Sequence, residues 1–354
     1  MKTKFLATGI GSMPFTSAEQ AVNVSLSKVG DAPFWPQLPQ LAFTEKMAIQ
    51  YCEGIPSVVM DREHGRIYFD TTGDYYDKLA AFYENYLAAM DPETGNGDCG
   101  SMAISSEFSK GIYAMEERLH SLGRKLPFIK VQTTGPCSFA LTIVDQDKRS
   151  IYYNEEFRDL IIKALAMKCR WQIQKFQPFA QQVICFIDEP ILSAFGSSTY
   201  VSLKREAIVS HLAEMVAAIH ADRAWAGVHC CGNTEWSILV DAGVDIINFD
   251  AYGYGETITM YPDAIRKHLE RGGVLAYGVV PTSPAVRTEN VEGLSDRLER
   301  LLDQLASKGI SRQLLVEQAI VTPSCGTGTL EREDALRVFD LLDSLSKTMR
   351  EKYS

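Results

Sequence analysis

Short runs of β-branched and aromatic residues alternate with longer amphipathic stretches from about residue 125 to the end of the sequence. This alternation is typical of βα units whose strands form one parallel sheet. Six strands are predicted in this part of the chain, at 128–131, 183–187, 224–228, 245–249, 274–278 and 315–320. Two more are predicted at 5–7 and 33–36. Eight strands with intervening helices in 354 residues indicate a (β/α)8 TIM barrel, formed as a single domain over residues 1–354.

The segment from about residue 55 to 125 interrupts this alternation. Residues 58–60 and 66–69 predict a β-hairpin, and residues 75–90 predict a helix rich in aromatic side chains. The glycine-rich stretch 91–105 predicts a long loop, which is either a lid over the site or a solvated surface loop. We therefore expect a TIM barrel with a hairpin and helix insertion in its N-terminal half.

The charge and the cysteine distribution limit the function classes. A net charge of -10 disfavours a nucleic-acid or membrane partner, because such partners are bound by basic patches. No apolar run is long enough to span a membrane or to serve as a signal-peptide core. The eight cysteines are spread along the chain instead of forming a disulfide framework. We predict a cytoplasmic protein that acts on a small molecule.

His229, Cys231 and Cys325 carry the donor atoms that zinc prefers. His229 and Cys231 end one predicted strand on the same face, because residues two apart in a strand share a face. Cys325 follows the last predicted strand, and the strand ends of a barrel meet at one mouth. Three protein ligands leave one position open, as in catalytic zinc sites. The alternative is that Cys230, Cys231 and Cys325 are small buried hydrophobic residues and that His229 is a hydrogen-bonded core histidine.

Carboxylates follow two other predicted strands. Asp188 and Glu189 come directly after the strand at 183–187, which places them at the barrel mouth and favours substrate binding over a solvated pair. Asp250 follows the strand at 245–249. It is either a fourth, oxygen ligand of the metal or a hydrogen-bond partner of the ligand histidine.

Five short motifs resemble, in the same order, those of the C-terminal zinc barrel of cobalamin-independent methionine synthase, within the superfamily that includes uroporphyrinogen decarboxylase. They are Ile10-Gly11-Ser12, Thr134-Gly135-Pro136, Ile187-Asp188-Glu189-Pro190, His229-x-Cys231 and Pro323-x-Cys325-Gly326. The resemblance implies that His229, Cys231 and Cys325 bind zinc, with Asp250 standing roughly where the family has a glutamate ligand. It also implies that Ser12, Asp188 and the backbone of Ile10 hold the amino-acid part of homocysteine.

These residues predict a zinc-dependent thiol methyltransferase that converts homocysteine to methionine. Two cysteinates and a neutral imidazole balance the charge of Zn2+, so that the metal lowers the pKa of a substrate thiol and leaves its sulfur nucleophilic. Asp188 and Asp250 are the predicted catalytic residues, and Ile10, Ser12, Asp188 and Glu189 the predicted substrate-binding residues.

The methyl donor is predicted from departures from the family pattern. The chain forms one predicted barrel, and residues 137–144 lack the tryptophan that the family associates with folate. These departures favour a methyl-corrinoid donor, delivered by a corrinoid protein. The alternatives are a methylcobamide:coenzyme M-type methyltransferase, a 5-methyltetrahydrofolate-homocysteine methyltransferase and a uroporphyrinogen decarboxylase-like protein. The decarboxylase needs arginines near its N-terminus for a polyanionic tetrapyrrole, whereas the first arginine here is Arg62.

Overall fold

The computed structural model of the protein describes residues 2–91, 93, 96–197, 200 and 203–354. Ten strands are assigned within these residues. They are β1 (Leu6–Ala7), β2 (Val58–Asp61), β3 (Arg66–Phe69), β4 (Leu126–Thr134), β5 (Val144–Asp145), β6 (Ala180–Asp188), β7 (Trp225–Cys230), β8 (Ile246–Phe249), β9 (Val274–Val280) and β10 (Ala319–Pro323). Seven of them form one sheet in the order β1-β10-β9-β8-β7-β6-β4, and every pairing in that sheet is parallel.

Helices connect these strands. The α-helices of the described residues are α1 (Ala18–Lys28), α2 (Met47–Gln50), α3 (Tyr76–Met90), α4 (Lys110–Leu122), α5 (Pro136–Thr142), α6 (Glu155–Phe176), α7 (Arg205–Ala221), α8 (Ser237–Asp241), α9 (Ala251–Ile258), α10 (Pro262–Glu270), α11 (Val291–Ser307), α12 (Arg312–Glu317) and α13 (Arg332–Lys352). None of the helices in the described part of the chain is long and apolar enough to cross a lipid bilayer. The fold is thus mixed α/β with a parallel sheet, as the alternation of the sequence predicts.

The parallel sheet is curled. Leu6 of β1 and Phe186 of β6 belong to one packed apolar cluster, although their strands stand at nearly opposite ends of the sheet order. Residues two apart, such as Ile184 and Phe186, share this inner cluster because alternate strand residues face the same side. The larger apolar core contains the outward-facing strand residues and the helices that cover them.

The segment 33–37 lies between the two edge strands of the sheet. On one side the Lys130 N–H donates to the Pro33 carbonyl over 2.8 Å, and on the other the Gln37 N–H donates to the Gly11 carbonyl over 3.0 Å. The segment makes only isolated bridges to its neighbours, because its prolines have no N–H for a continuous ladder. The predicted second strand is therefore not a regular strand, although the arrangement is compatible with a TIM-like barrel.

The predicted strand at 315–320 is wrong over its first residues. Helix α12 continues to Glu317, and β10 begins only at Ala319. The Ser311 hydroxyl caps this helix by accepting from the Leu314 N–H over 3.4 Å. Leu315 is buried on the inner side of the helix. A short apolar run fits a buried helical turn as well as a strand, which explains the error.

The predicted insertion is confirmed as a hairpin followed by a helix. Strands β2 and β3 pair antiparallel, and α3 covers nearly the whole predicted helical segment. β3 also pairs with β5, which attaches the hairpin to the segment that follows α5. The hairpin thus belongs to a second, three-stranded sheet, separate from the seven-stranded parallel sheet.

The described residues of the loop at 91–105 include two that bond to α6, namely Gly97 and Met102. The Gln174 side chain donates to the Gly97 carbonyl over 2.7 Å, and the buried Lys168 ammonium donates to the Met102 carbonyl over 3.3 Å. Lys168 also donates to the Glu53 carbonyl over 2.6 Å. These bonds hold the described part of the loop on the outer helical layer.

Candidate functional site

A cavity of about 290 Å³ opens at the C-terminal ends of the parallel strands. Six of the eight predicted site residues line it, namely Ile10, Ser12, Asp188, His229, Cys231 and Cys325. Neither Glu189 nor Asp250 is among the described residues that line the cavity. The strand ends therefore bring most of the predicted site together, as expected for a barrel.

His229, Cys231 and Cys325 form a compact group of potential metal ligands. One ligand atom from each residue lies within 4.8 Å of those of the other two. His229 is buried, and its Nε2 atom has no hydrogen-bond partner among the described residues. One nitrogen and two sulfur donors at this spacing, with the fourth side facing a cavity, suit a zinc ion with an open coordination position.

The two thiols of this group differ in pKa. The pKa of Cys231 is lowered to about 4, because the neighbouring Cys325 thiol and, after it, the nearby His229 imidazole stabilise its thiolate. The neighbouring Cys231 thiolate, together with burial, raises the pKa of Cys325. Cys231 is therefore the more acidic of the two thiols, and the thiolate is the form of cysteine that binds metal.

Asn248 is a site residue that sequence reasoning missed. His229 Nδ1 lies 2.5 Å from Asn248 Oδ1, and the Asn248 amide nitrogen donates to the Ala276 carbonyl and to Thr322 Oγ1, each over 2.9 Å. The available signal was a polar residue in the otherwise apolar run that precedes Asp250. Its partner became evident only from the strand register, which pairs His229 with Asn248.

Asp188 presents a buried carboxylate to the cavity. Its Oδ1 atom has no hydrogen-bond partner among the described residues. Burial raises the pKa of Asp188, while the nearby Lys130 ammonium acts in the opposite direction. Lys130 is itself fully buried, which lowers its pKa to about 8, and it donates to the Ile10 carbonyl and to Gln132 Oε1. Asp188 is thus available to accept hydrogen bonds from a cationic group of a ligand.

Glu45 is a second carboxylate on the cavity wall, and no sequence pattern indicated its position there. It is buried in a short 3-10 helix at Phe43–Glu45, and burial raises its pKa. Its oxygens accept from the Lys110 N–H over 2.6 Å and from the Gln50 side chain over 3.3 Å. Among the described residues that line the cavity, none is lysine or arginine. The cavity wall is therefore acidic.

Ser12 connects the first strand to the loop that carries Cys325. Its hydroxyl accepts from the Gly328 N–H over 3.3 Å, and its carbonyl accepts from the Thr327 N–H over 2.9 Å. A Cβ atom added at Gly326 would overlap the Ser12 hydroxyl. Glycine at position 326 thus allows the two loops to approach closely beside Cys325.

Glu189 and Asp250 cap helices beside the cavity. The Glu189 carboxylate accepts from the Cys137 and Ser138 N–H groups, each over 2.8 Å, at the start of α5. Asp250 Oδ1 accepts from the Gly253 N–H over 2.7 Å at the start of α9, and Asp250 lies outside the group of three potential ligands. The structure accordingly places both residues next to the site but with local partners. Their substrate-binding and metal-binding roles stay predictions.

The described residues of the loop at 91–105 do not cover the site. None of its described residues lines the cavity, and the same holds for the hairpin of β2 and β3. Pro39, Met47, Pro190 and Thr329 contribute to the cavity wall instead. Of the two interpretations of this loop, the described residues fit a surface loop packed on α6.

Comparison with known proteins finds similarity at the level of structure. No protein-family model matches the sequence, and no curated protein matches it. A solved structure of a methyltransferase from Methanosarcina mazei is similar, with a TM-score of 0.54 and 13% identity over 99% of this chain and 95% of that chain. The endo-1,4-beta-mannanase from Rhizomucor miehei matches with a TM-score of 0.43 and 11% identity over 97% of this chain and 95% of that chain. The first similarity indicates a shared fold.

Proposed function

We propose that this protein is a zinc-dependent methyltransferase that methylates the thiol of homocysteine, with a methyl-corrinoid as donor. The observation that carries the proposal is the meeting of two features in one cavity. The imidazole of His229 and the thiols of Cys231 and Cys325 line this cavity as one group of potential metal ligands. Asp188 lines the same cavity, and its buried Oδ1 atom has no partner among the described residues. The fold shared with the methyltransferase from Methanosarcina mazei supports a methyltransferase as the general class.

The residues present fit a zinc ion. Cys231 favours the thiolate, and His229 directs a nitrogen without a partner among the described residues toward the cavity. A zinc ion held by His229, Cys231 and Cys325 would lower the pKa of a substrate thiol that binds to it. The thiol ligands need a reducing compartment, and we place the protein in the cytoplasm.

The acidic wall favours a substrate with an ammonium group. Asp188 would accept a charge-assisted hydrogen bond from that ammonium, and Glu45 adds a second negative group to the same cavity. The carboxylate of the substrate would meet the Ser12 hydroxyl, which can donate its own hydrogen while its oxygen accepts from the Gly328 N–H. The sulfonate of coenzyme M would be repelled by the same wall, so homocysteine is the better substrate.

Methyl transfer requires the substrate sulfur to lie in line with the methyl carbon. The sulfur lone pair forms the new sulfur–carbon bond, while the bond between that carbon and the donor breaks and its electron pair stays on the donor. Asp188 and Ser12 hold the two ends of the amino-acid part and so fix the sulfur for this step. The volume of about 290 Å³ is at the lower end of the range of small-molecule pockets, about 300–1,000 Å³. A corrin ring must therefore approach from the mouth of the cavity, presented by a corrinoid protein.

Residues from four of the five motifs support membership of the zinc-barrel family of cobalamin-independent methionine synthase. Ile10 and Ser12 of the first motif line one cavity together with Asp188, His229 and Cys325 of three others. We also infer that the segment 33–37 serves as the second strand of an eight-stranded barrel, because it is bonded to the strands on both sides.

Metal analysis combined with methyl-transfer assays tests the proposal. The purified protein should hold about one zinc per chain under reducing conditions. It should methylate homocysteine faster than coenzyme M, and faster with methylcobalamin or a methylated corrinoid protein than with methyl-tetrahydrofolate. A protein that neither contains zinc nor takes it up would refute the proposal. Faster turnover of coenzyme M or of methyl-tetrahydrofolate would instead favour one of the two alternative methyltransferases.

A further inference from the structure

We propose that Asn248 is a positioning residue that holds the His229 imidazole in the tautomer required for metal binding. Asn248 would not itself touch the metal or the substrate. It would act through His229, by keeping the proton on Nδ1 and leaving the lone pair of Nε2 for the ion. This inference rests on the proposed zinc site and adds to it a residue from a strand that carries none of the three ligands.

The orientation of the Asn248 side-chain amide follows from its partners. Its nitrogen lies 2.9 Å from the carbonyl oxygen of Ala276, and a carbonyl can only accept a hydrogen bond. The same nitrogen lies 2.9 Å from Thr322 Oγ1, which can accept the second N–H. A flipped amide would place two acceptor oxygens against each other at Ala276. The amide oxygen of Asn248 therefore faces His229.

The tautomer of His229 follows in turn. An amide oxygen cannot donate, so the 2.5 Å contact between Asn248 Oδ1 and His229 Nδ1 requires a proton on Nδ1. In the neutral ring the other nitrogen then carries a lone pair. That atom, Nε2, is buried and has no partner among the described residues, and His229 belongs to the group formed with Cys231 and Cys325. Nε2 is thus the nitrogen left for a metal.

The strand register makes this arrangement rigid. Asn248 of β8 is paired with His229 of β7 on one side and with Ala276 of β9 on the other. Thr322 belongs to β10, the strand that leads directly to Cys325. Asn248 therefore connects the strands of two ligands through side-chain bonds, and all of these partners are buried. Bulk water has no access to replace the lost bonds if Asn248 is removed.

A neutral acceptor also suits the charge of the site. Two cysteinates already balance the charge of a zinc ion, and a further buried carboxylate would have to be compensated by the surroundings. An aspartate at position 248 would keep the acceptor for His229, whereas a leucine of similar size would remove it. Comparison of the two variants therefore separates the effect of the hydrogen bond to His229 on zinc affinity from the effect of side-chain size.

Zinc affinity measured by competition with a chelator tests the inference without any activity assay. We compare wild type, Asn248→Leu, Asn248→Asp and the control Asn23→Leu, which changes an exposed asparagine on α1. Loss of a hydrogen-bond partner of a ligand histidine typically costs about 10- to 100-fold in metal affinity. We expect that loss for Asn248→Leu and no change for Asn23→Leu. For Asn248→Asp we expect a smaller loss than for Asn248→Leu, because aspartate keeps the acceptor for His229 but places a carboxylate oxygen against the Ala276 carbonyl.

The outcomes separate this inference from the proposed function. Wild-type affinity in a folded Asn248→Leu variant would overturn the role of Asn248 and leave the zinc site intact. Failure of the wild type to take up zinc would overturn both.

A measurement on the unmutated protein covers the case in which Asn248→Leu does not fold. Nitrogen-15 NMR of histidine-labelled protein loaded with cadmium-113 should show the metal coupled to His229 Nε2 and a proton on Nδ1. The His229→Gln variant assigns the signal. Coupling of the metal to Nδ1 would overturn the inference.

Discussion

Replacement of Asp188 by asparagine should weaken homocysteine binding and leave zinc binding intact. The side chain keeps its size but loses its negative charge. That charge lies on a buried carboxylate whose Oδ1 atom has no partner among the described residues and can therefore bind an ammonium. Hydrogen bonds to charged groups contribute about 1.5–3 kcal/mol, which corresponds to a loss of about 10- to 150-fold in affinity. Asp188 is not one of the three potential ligands, so the zinc content should stay at the wild-type level.

Isothermal titration calorimetry with two ligands isolates the contact between Asp188 and the ammonium. Homocysteine and 4-mercaptobutyrate differ only in the amino group and present the same thiol. Asp188→Asn should weaken homocysteine by the factor above and should not weaken 4-mercaptobutyrate. The lost negative charge removes a repulsion, so binding of the second ligand stays equal or improves. If both ligands weaken equally, or if neither does, Asp188 does not recognise an ammonium.

Further predictions follow from individual contacts. Cys325→Ser should remove most of the bound zinc, measured by metal analysis after dialysis against a weak chelator, because it deletes one of two soft ligands. Asp250→Ala should keep the zinc content and lower the free energy of unfolding by about 0.5–2 kcal/mol, the cost of a helix cap; loss of zinc would instead identify Asp250 as a ligand. Burial lowers the pKa of His268 to about 4, below its unfolded value of about 6.5. The free energy of unfolding should therefore be fully retained above a pH of about 6.5 and should decrease as the pH falls toward 4. In chemical denaturation across this pH range, the free energy of unfolding of His268→Gln should lack the acid-induced decrease of about 3 kcal/mol. An unchanged pH dependence in this variant would contradict the prediction.

Periodicity and strand ends were sufficient to predict the parallel sheet and most of the candidate residues that meet at the cavity, whose binding roles stay predictions. Ser12, Asp188, His229 and Cys231 each follow or end an apolar run, and parallel strands bring such ends to one edge of the sheet. Local pattern failed where another local structure competed with a strand. The segment 33–37 contains prolines that prevent a regular ladder, and the apolar residues before Ala319 bury one face of a helix.

Glu45 and Asn248 could not be predicted because their roles depend on distant partners. Glu45 reaches the cavity from a 3-10 helix that is held by the backbone at Lys110, 65 positions away in the sequence. Asn248 contacts His229, Ala276 and Thr322 on three other strands. The register between strands decides these contacts, and a single sequence does not specify that register.

The polar residues inside the curled sheet differ in one respect that marks the site. The Lys130 ammonium and both polar atoms of the Asn248 amide form hydrogen bonds inside the sheet. These two side chains therefore need no ligand as a hydrogen-bond partner. Asp188 Oδ1 and His229 Nε2 are buried without a partner among the described residues, and they face the same cavity. Each such atom costs about 1–3 kcal/mol in the free protein. Ligands that satisfy both atoms would recover this cost on binding, so the free energy of unfolding should increase when metal and substrate bind at this cavity.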